Sequence, residues 1–263
     1  MTTAIATAPV LRLRGLMCQF GGVVAVSNVD LDINGGERRA ILGPNGAGKT
    51  TLFNLISGEV FATAGTVEAF GADITFLPSR SRARLGLTRT FQTSRLFAQL
   101  TVTENVYLGM LGVAPGHLRP FRLPADRATR RQACQTAERV GLGQCVDTVV
   151  GELSHGEQRQ LEIAVALAGN PRVLMLDEPA SGLSPAERAA LTELLLALDP
   201  GVTLLVVEHD MDVALRVAQW VTVMHEGKVI AEGAPNDIRA NTRVHDLYLG
   251  RGFAPVEGEA AHA

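Results

Sequence analysis

The sequence predicts an α/β protein built around a mainly parallel sheet, and three observations support this fold class. Continuous apolar strands such as PRVLMLDEP (171–179) alternate with helical patterns along the C-terminal third of the chain. A short strand, RRAILG (38–43), runs directly into a glycine-rich loop and a helix. Between Leu85 and Gly169 the pattern is mainly helical, which indicates a helical insertion. Alternating buried strands and helices are typical of a parallel sheet that is covered on both faces.

The N-terminal elements follow a different pattern. The stretches VLRLRGLMCQF (10–20) and VDLDI (29–33) alternate apolar and polar residues, which predicts strands of a half-exposed sheet. KTTLFNLISG (49–58) predicts a helix that ends at Gly58, and GTVEAFGADI (65–74) predicts a hairpin. The first part of the chain therefore combines half-exposed strands with the first strand of the parallel sheet.

The C-terminal elements continue the α/β alternation. They are predicted as two helices and three strands: helix Pro185–Leu198, strand Val202–Glu208, helix Met211–Ala218, strand Trp220–His225 and strand Lys228–Ala231. The last residues, 253–263, are small and polar and predict a disordered tail.

Composition excludes several classes of function. The chain has 263 residues, 46% of them hydrophobic, which suits one large globular domain. Its net charge of −3 gives no global attraction to nucleic acid, so no nucleic-acid partner is expected. Three cysteines are too few for a disulfide framework and have no metal-ligand spacing, which favours a reduced cytosolic protein. Neither a signal peptide nor a membrane span is expected, because the N-terminus has no basic segment and no apolar run approaches about 20 residues.

The strongest motif is GPNGAGKT, which occupies Gly43–Thr50 between a predicted strand and a predicted helix. It matches the phosphate-binding pattern G-x-x-x-x-G-K-[ST] in full. Glycines let backbone N–H groups surround phosphate oxygens, and the helix adds its positive N-terminal end. Lys49, one of only two lysines, would reach the β- and γ-phosphates of ATP, and Thr50 would bind Mg²⁺. The predicted nucleotide ligands here are Asn45, Gly46, Ala47, Gly48, Lys49, Thr50 and Thr51.

A second motif, VLMLDEP, ends the most apolar strand with two carboxylates. Asp177 at the carboxyl end of that strand can face the phosphate-binding loop, and it would hold Mg²⁺ through water. Glu178 would orient or deprotonate the attacking water, as a general base does. A charged strand end with no function is the alternative, and the phosphate-binding loop upstream argues against it.

The stretch ELSHGEQRQLEIA (152–164) places Ser154, His155 and Glu157 within four residues. A Ser–His nucleophile pair is disfavoured because adjacent side chains rarely converge, and a metal site is disfavoured because no third ligand lies at usable spacing. Ser154-x-x-Glu157 instead predicts a capping box at the start of a helix. With Gly156 beside it, this helix N-terminus also predicts a second phosphate site.

Six motifs in order resemble those of ATP-binding-cassette (ABC) transporter ATPases over about residues 10–250. They are GPNGAGKTT, Gln92 in TRTFQTSRLF, LSHGEQRQLEIA, VLMLDEP, SGLSP and His209 in VVEHDM. The resemblance implies a RecA-like P-loop core at 10–91 and 166–250, an antiparallel β subdomain and an inserted α-helical subdomain at about 92–165. These would form one domain over 1–252.

In that family two subunits pack head to tail, and each ATP lies between the P-loop of one and the signature motif of the other. The resemblance therefore implies that Ser154, Gly156 and Glu157 face the γ-phosphate bound to a second, identical or homologous ATPase chain. Gln92 would bind Mg²⁺ and sense the attacking water, and His209 would contact the γ-phosphate. Phe20 would stack on adenine, with Val26 packed nearby.

More narrowly, FGGVVAVSNVDLDI, RTFQTSRLFAQLTVTENV, LEIA and the terminal LYLGRG are similar to ATPase subunits of branched-chain amino acid importers. This implies integral-membrane permease partners, an indirect periplasmic or extracellular substrate-binding protein, and a peripheral position on the cytoplasmic face of the membrane. Three residues depart from patterns common in ABC proteins: His155 and Glu157 replace Gly and Gln, and Ser184 replaces Asp.

Other classes remain open at this point. The ATPase of lipopolysaccharide export has similar motifs and would move cargo outward. ABC proteins of DNA repair or translation usually carry a long coiled coil or a second cassette, and neither is present here. A P-loop kinase would leave Ser154, Gly156 and His209 without a role, and a nucleotide-binding regulator would not need Glu178.

Overall fold

The computed structural model describes residues 8–90, 95–113 and 125–244, and the predicted tail lies outside these ranges. The described strands, in chain order, are β1 (Leu11–Phe20), β2 (Val23–Ile33), β3 (Arg38–Leu42), β4 (Ala64–Ala69), β5 (Ala72–Asp73), β6 (Leu87–Arg89), β7 (Val173–Asp177), β8 (Thr203–Val207), β9 (Trp220–His225) and β10 (Lys228–Gly233). The α-helices are α1 (Lys49–Ser57), α2 (Ser79–Arg84), α3 (Val102–Val113), α4 (Ala125–Arg139), α5 (His155–Leu167), α6 (Pro185–Leu196), α7 (Met211–Val217) and α8 (Pro235–Ala240).

The strands form two sheets of different kinds. One sheet is antiparallel, with the order β2-β1-β4-β5. The other has the order β10-β9-β3-β8-β7-β6, and its pairs are parallel except for β10 with β9. The mainly parallel sheet, the antiparallel sheet and the hairpin at 65–74 are therefore confirmed.

One part of the prediction for 85–169 is wrong. The strand β6 lies inside that stretch and adds an edge to the parallel sheet by pairing with β7. Three residues are too few to show a period, so pairing with a distant strand decides their conformation. The helices α2 and α8, six residues each, also have no counterpart among the predicted elements.

Strand β7 separates two hydrophobic cores. Val173 and Met175 pack with the antiparallel sheet and α1, whereas Leu174 and Leu176 pack with α3, α4 and α5. All five residues of β7 are buried, because side chains alternate between the two covered faces of the sheet. The strand that ends in Asp177 is thus held firmly from both sides.

Arg82 fixes the far end of the helix that follows the P-loop. Its side chain is fully buried, and its guanidinium donates to the carbonyl oxygens of Leu55 at 2.6 Å and Ile56 at 2.8 Å, in the last turn of α1. It also donates to the carbonyls of Thr75 and Leu77. Burial lowers the pKa of Arg82 to about 10, so the group stays charged at neutral pH. A cation at the C-terminal end of a helix stabilises it through unpaired carbonyls and the helix dipole.

Candidate nucleotide-binding and hydrolysis site

The P-loop connects β3 to α1 and forms a cleft of about 490 Å³ at the N-terminal end of the helix. All seven predicted P-loop ligands line it, together with Glu178: Asn45, Gly46, Ala47, Gly48, Lys49, Thr50 and Thr51. Gly48, which precedes the helix, has φ of 97°, and a Cβ there would lie 2.4 Å from the carbonyl oxygen of Ala25. Glycine is therefore required at this turn, both for its backbone conformation and for the close approach of β2.

Lys49 is held inside the loop. Its Nζ donates to the carbonyl oxygens of Gly43 at 2.6 Å and Pro44 at 3.0 Å, and the residue is only 6% exposed. Burial lowers the pKa of Lys49, while the charges of Glu178 and Asp177 act in the opposite direction. The ammonium thus lies between the loop carbonyls and the carboxylates at the end of β7, which is a suitable place for a cation that binds phosphate.

Asp177 is buried at the carboxyl end of β7 and is 2% exposed. Arg89 on β6 donates to its Oδ2 at 2.6 Å through a guanidinium that also donates to Asn54 Oδ1 on α1. Sequence reasoning missed Arg89. Arg89 and Asp177 are 88 positions apart in the sequence, so no local pattern indicates that they pair. The only available signal was a charged residue just before TFQ.

Glu178 follows with a backbone φ of 48°, in the left-handed region that non-glycine residues rarely adopt. Its N–H donates to the carbonyl oxygen of Val207, which pins this conformation to the end of β8. His209 comes near it from the next loop, with its Nδ1 3.8 Å from Glu178 Oε1. That distance exceeds a hydrogen bond, so the structure brings the two residues together without bonding them.

Glu208 is a second group that sequence reasoning missed. It is fully buried, and its carboxylate accepts from the backbone N–H of Ala180 at 2.8 Å and of His209 at 3.3 Å. Burial raises the pKa of Glu208, and the Ala180 hydrogen bond is the largest opposing effect. One carboxylate therefore ties the loop after Glu178 to the loop of His209. A carboxylate at the end of the apolar strand TLLVVE was the available signal.

Phe20 and Val26, two further predicted site residues, lie outside the cleft lining. Phe20 at the end of β1 is 51% exposed, as stacking on a base would require. Val26 is completely buried in the core, and the lining there comes from Val23, Val24 and Ala25 instead. Gln92 falls outside the described residues.

Ser154, Gly156 and Glu157 mark the start of α5, and the predicted capping box is confirmed. The Ser154 hydroxyl accepts from the Glu157 N–H, and Glu157 Oε2 accepts from the Ser154 N–H at 2.8 Å. This pairing with Ser154 lowers the pKa of Glu157. None of these three described residues is among those that line the P-loop cleft.

The donor set near the P-loop is compatible with Mg²⁺. A hydroxyl on Thr50 and a carboxylate on Asp177 supply hard oxygen ligands, which Mg²⁺ prefers. Within the described ranges no group of three or more His, Cys, Asp or Glu residues could hold a metal ion. An ion bound by few protein ligands and by substrate phosphates does not need such a cluster.

A P-loop before α1, a buried Asp177 followed by a partly exposed Glu178 at the end of β7, and a helical subdomain define an ATPase cassette. The family model described as ABC transporter matches residues 26–181, and the model described as branched-chain amino acid ATP-binding cassette transporter matches 228–254. The chain belongs to the ABC transporter family, and it is an ATPase.

Similar proteins support this assignment over most of the chain. A high-affinity branched-chain amino acid transport ATP-binding protein of Pseudomonas aeruginosa is 39% identical, over 92% of this chain and 98% of that protein. A probable branched-chain amino acid transport ATP-binding protein of Archaeoglobus fulgidus is 33% identical, over 94% and 98%. The crystal structure of an ABC transporter cassette in its ADP conformation has a TM-score of 0.83 and 32% identity, and covers 93% of this chain and 100% of its own. A dimeric cassette bound to ADP and phosphate has a TM-score of 0.73 and 27% identity, over 86% and 98%.

Proposed function

We propose that this chain powers an ABC importer for branched-chain or related hydrophobic amino acids by ATP-driven closure of a dimer. The observation that carries the proposal is that two family models match different parts of the chain. The nucleotide site lies in residues matched to the ABC transporter family, and the C-terminal segment matches the branched-chain amino acid group. The relatives named above carry the same transport activity in their names.

In the proposed reaction ATP binds to the P-loop, and Lys49 moves from the loop carbonyls to the β- and γ-phosphates. Thr50 and, through water, Asp177 would hold Mg²⁺, with Gln92 as a further ligand, and the ion would neutralise charge on those phosphates. Glu178 takes a proton from the water that attacks the γ-phosphorus, and the bond from that phosphorus to the bridging oxygen breaks. His209, 3.8 Å from Glu178, would contact the γ-phosphate.

The second half of each site would come from a second ATPase chain, identical or homologous. None of Ser154, Gly156 and Glu157 lines the P-loop cleft of its own chain, so a nucleotide that they contact would be one bound by another chain. The dimeric relative bound to ADP and phosphate supports this arrangement.

Cargo would pass through integral-membrane permease subunits, loaded by a periplasmic or extracellular substrate-binding protein. No helix in the described part of the chain is long and apolar enough to cross a membrane. We infer a peripheral position on the cytoplasmic face, held by the permease.

A groove between the sheet and the helical subdomain is the proposed permease site. It has a volume of about 350 Å³ and is lined by residues of α1, α2, β6, α3 and α5, together with Arg95 and Leu96. Phe97 follows and is 58% exposed, so it is not a core residue, whereas Leu96 packs partly against the core. The buried Asn105 fixes the backbone here, because its side chain bonds both the N–H and the carbonyl of Phe97.

Phe97→Ala should weaken assembly with the permease and leave the free subunit unchanged. Losing an aromatic anchor from an interface commonly costs about 2 kcal/mol or more. The measurement is a pull-down with the membrane subunits beside a thermal melt and an ATP-binding assay of the isolated chain. Trp220→Ala is the control, because Trp220 lies in a cleft that shares no residue with the groove. An unchanged pull-down would contradict the placement of the docking surface.

The cargo itself is tested by reconstitution. The chain and its permease subunits in vesicles should drive ATP-dependent uptake of labelled leucine in the presence of the substrate-binding protein. Hydrolysis of ATP without uptake of any hydrophobic amino acid would reject the proposed cargo and retain the ATPase.

A further inference from the structure

The first turn of α5 is bonded to a carboxylate from another helix. The backbone N–H of Gly156 donates to Oε1 of Glu187, on α6, at 3.2 Å. The other amides in this turn are used locally: Glu157 N–H donates to the Ser154 hydroxyl and Gln158 N–H to the Ser154 carbonyl. Of these three amides, that of Gly156 is the one that donates to a residue outside this turn.

This approach depends on the glycine. A Cβ added to Gly156 would lie 2.7 Å from Glu187 Oε1 and 3.0 Å from its Cδ, so any larger residue would push the carboxylate away. The Glu187 side chain is also held by its own helix, because it forms a second capping box with Ser184, the N-cap of α6. Its Oε2 accepts from the Ser184 N–H at 2.8 Å while its Oε1 reaches Gly156.

The Glu187 carboxylate is ionised at neutral pH. The Ser184 N–H is the largest of several effects that lower the pKa of Glu187, and Gly156 and His155 add to them. A negative charge at the N-terminus of a helix is favourable, and so is a phosphate oxygen. A carboxylate and a phosphate therefore compete for the same donor.

The predicted phosphate-binding groups of the signature motif both face carboxylates of their own chain. The Ser154 hydroxyl lies 2.8 Å from Glu157 Oε2, and the Gly156 N–H lies 3.2 Å from Glu187 Oε1. One backbone N–H makes one strong hydrogen bond, so a γ-phosphate from the partner chain must displace or share the one held by Glu187.

We propose that Glu187 sets the ATP concentration at which the dimer closes, because its carboxylate occupies the Gly156 N–H that the partner's γ-phosphate must bind. The inference rests on the proposed function, in which Gly156 faces a nucleotide held by a second chain. Glu187 acts here as an internal competitor, and its loss makes closure easier. A purely structural role, as a strut between α5 and α6, makes the opposite prediction.

The test is Glu187→Gln in the background of Glu178→Gln, which is expected to retain ATP. Glutamine has a single acceptor oxygen, which can keep the Ser184 bond of the capping box, since either Glu or Gln serves at that position. Its amide nitrogen, a donor, then faces the Gly156 N–H in place of Oε1 and cannot accept from it. Molar mass is measured by light scattering against ATP concentration with Mg²⁺ present. The control is Glu193→Gln in the same background, which removes one charge from the same helix at an exposed ion pair with Arg216.

The half-maximal ATP concentration for dimer formation should fall on the order of 10-fold for Glu187→Gln, because the charge-assisted hydrogen bond that competes with the phosphate for the Gly156 N–H is lost. The Glu193→Gln control should match the background. An unchanged or higher half-maximal concentration overturns the inference, and a lowered melting temperature beside it assigns Glu187 to a structural role. No ATP-dependent dimer in Glu178→Gln alone would reject the proposed function, and this inference with it.

Discussion

Lys49→Ala should abolish ATP turnover and weaken nucleotide binding. The Lys49 ammonium is buried in the P-loop, 2.6 Å from the Gly43 carbonyl, and the described structure brings no second lysine to this cleft. Losing one charged hydrogen bond costs about 1.5–3 kcal/mol, which corresponds to roughly 10- to 150-fold in affinity. Turnover should fall further, because negative charge develops on the leaving β-phosphate as the bond to the γ-phosphorus breaks, and Lys49 is expected to contact the β-phosphate as well.

The chain offers a matched control for this substitution. Lys228, the only other lysine, is exposed at the start of β10, so Lys228→Ala removes the same charge from a surface site. Titration with a fluorescent ATP analogue and a phosphate-release assay would measure binding and turnover separately. Normal ATPase activity in Lys49→Ala would remove the P-loop assignment.

Glu178→Gln should bind Mg-ATP and hydrolyse it about 10²–10⁴-fold more slowly, because the proposed general base is lost. Glutamine has the same shape, so the backbone bond to Val207 and the approach of His209 are expected to persist. Since ATP then stays bound between two chains, the variant should accumulate as an ATP-dependent dimer. Among single substitutions in the site, Glu178→Gln should lower the hydrolysis rate most while leaving ATP binding intact.

Single-turnover hydrolysis and light scattering with and without ATP test both parts of this expectation. Glu138→Gln on α4 makes the same charge change at an exposed position of the helical subdomain and should behave as the unaltered chain. A Glu178→Gln variant that hydrolyses ATP at the normal rate would assign the base elsewhere. One that stays monomeric with ATP would count against closure of a dimer.

Local patterns predicted most of the fold. The continuous apolar strand that ends in Asp177 and the capping box at Ser154 are properties of neighbouring residues, and both were predictable for that reason. The strand β6 was not, since three residues become a strand only by pairing with β7. The helix α2 lacks apolar periodicity, as its sequence SRSRAR shows, and one buried arginine anchors it.

The residues of the site were likewise predictable where they lie in local motifs and not where they act through distant partners. Lys49, Thr50, Asp177 and Glu178 lie in motifs whose spacing carries the chemistry. Arg89, Glu208 and Glu187 act through partners that only the folded chain brings close: Asp177, Ala180 and Gly156. No motif in the sequence marks a side chain whose partner lies 28 to 88 residues away.

The left-handed backbone at Glu178 has a consequence for efforts to make this protein more heat-resistant. A non-glycine residue in that conformation costs about 1–3 kcal/mol, and glycine or asparagine would relieve much of the cost. A library selected only for survival at high temperature would therefore favour replacement of Glu178, the proposed general base. Selection for robustness and selection for turnover act against each other at this one position, so engineering here must hold residue 178 constant.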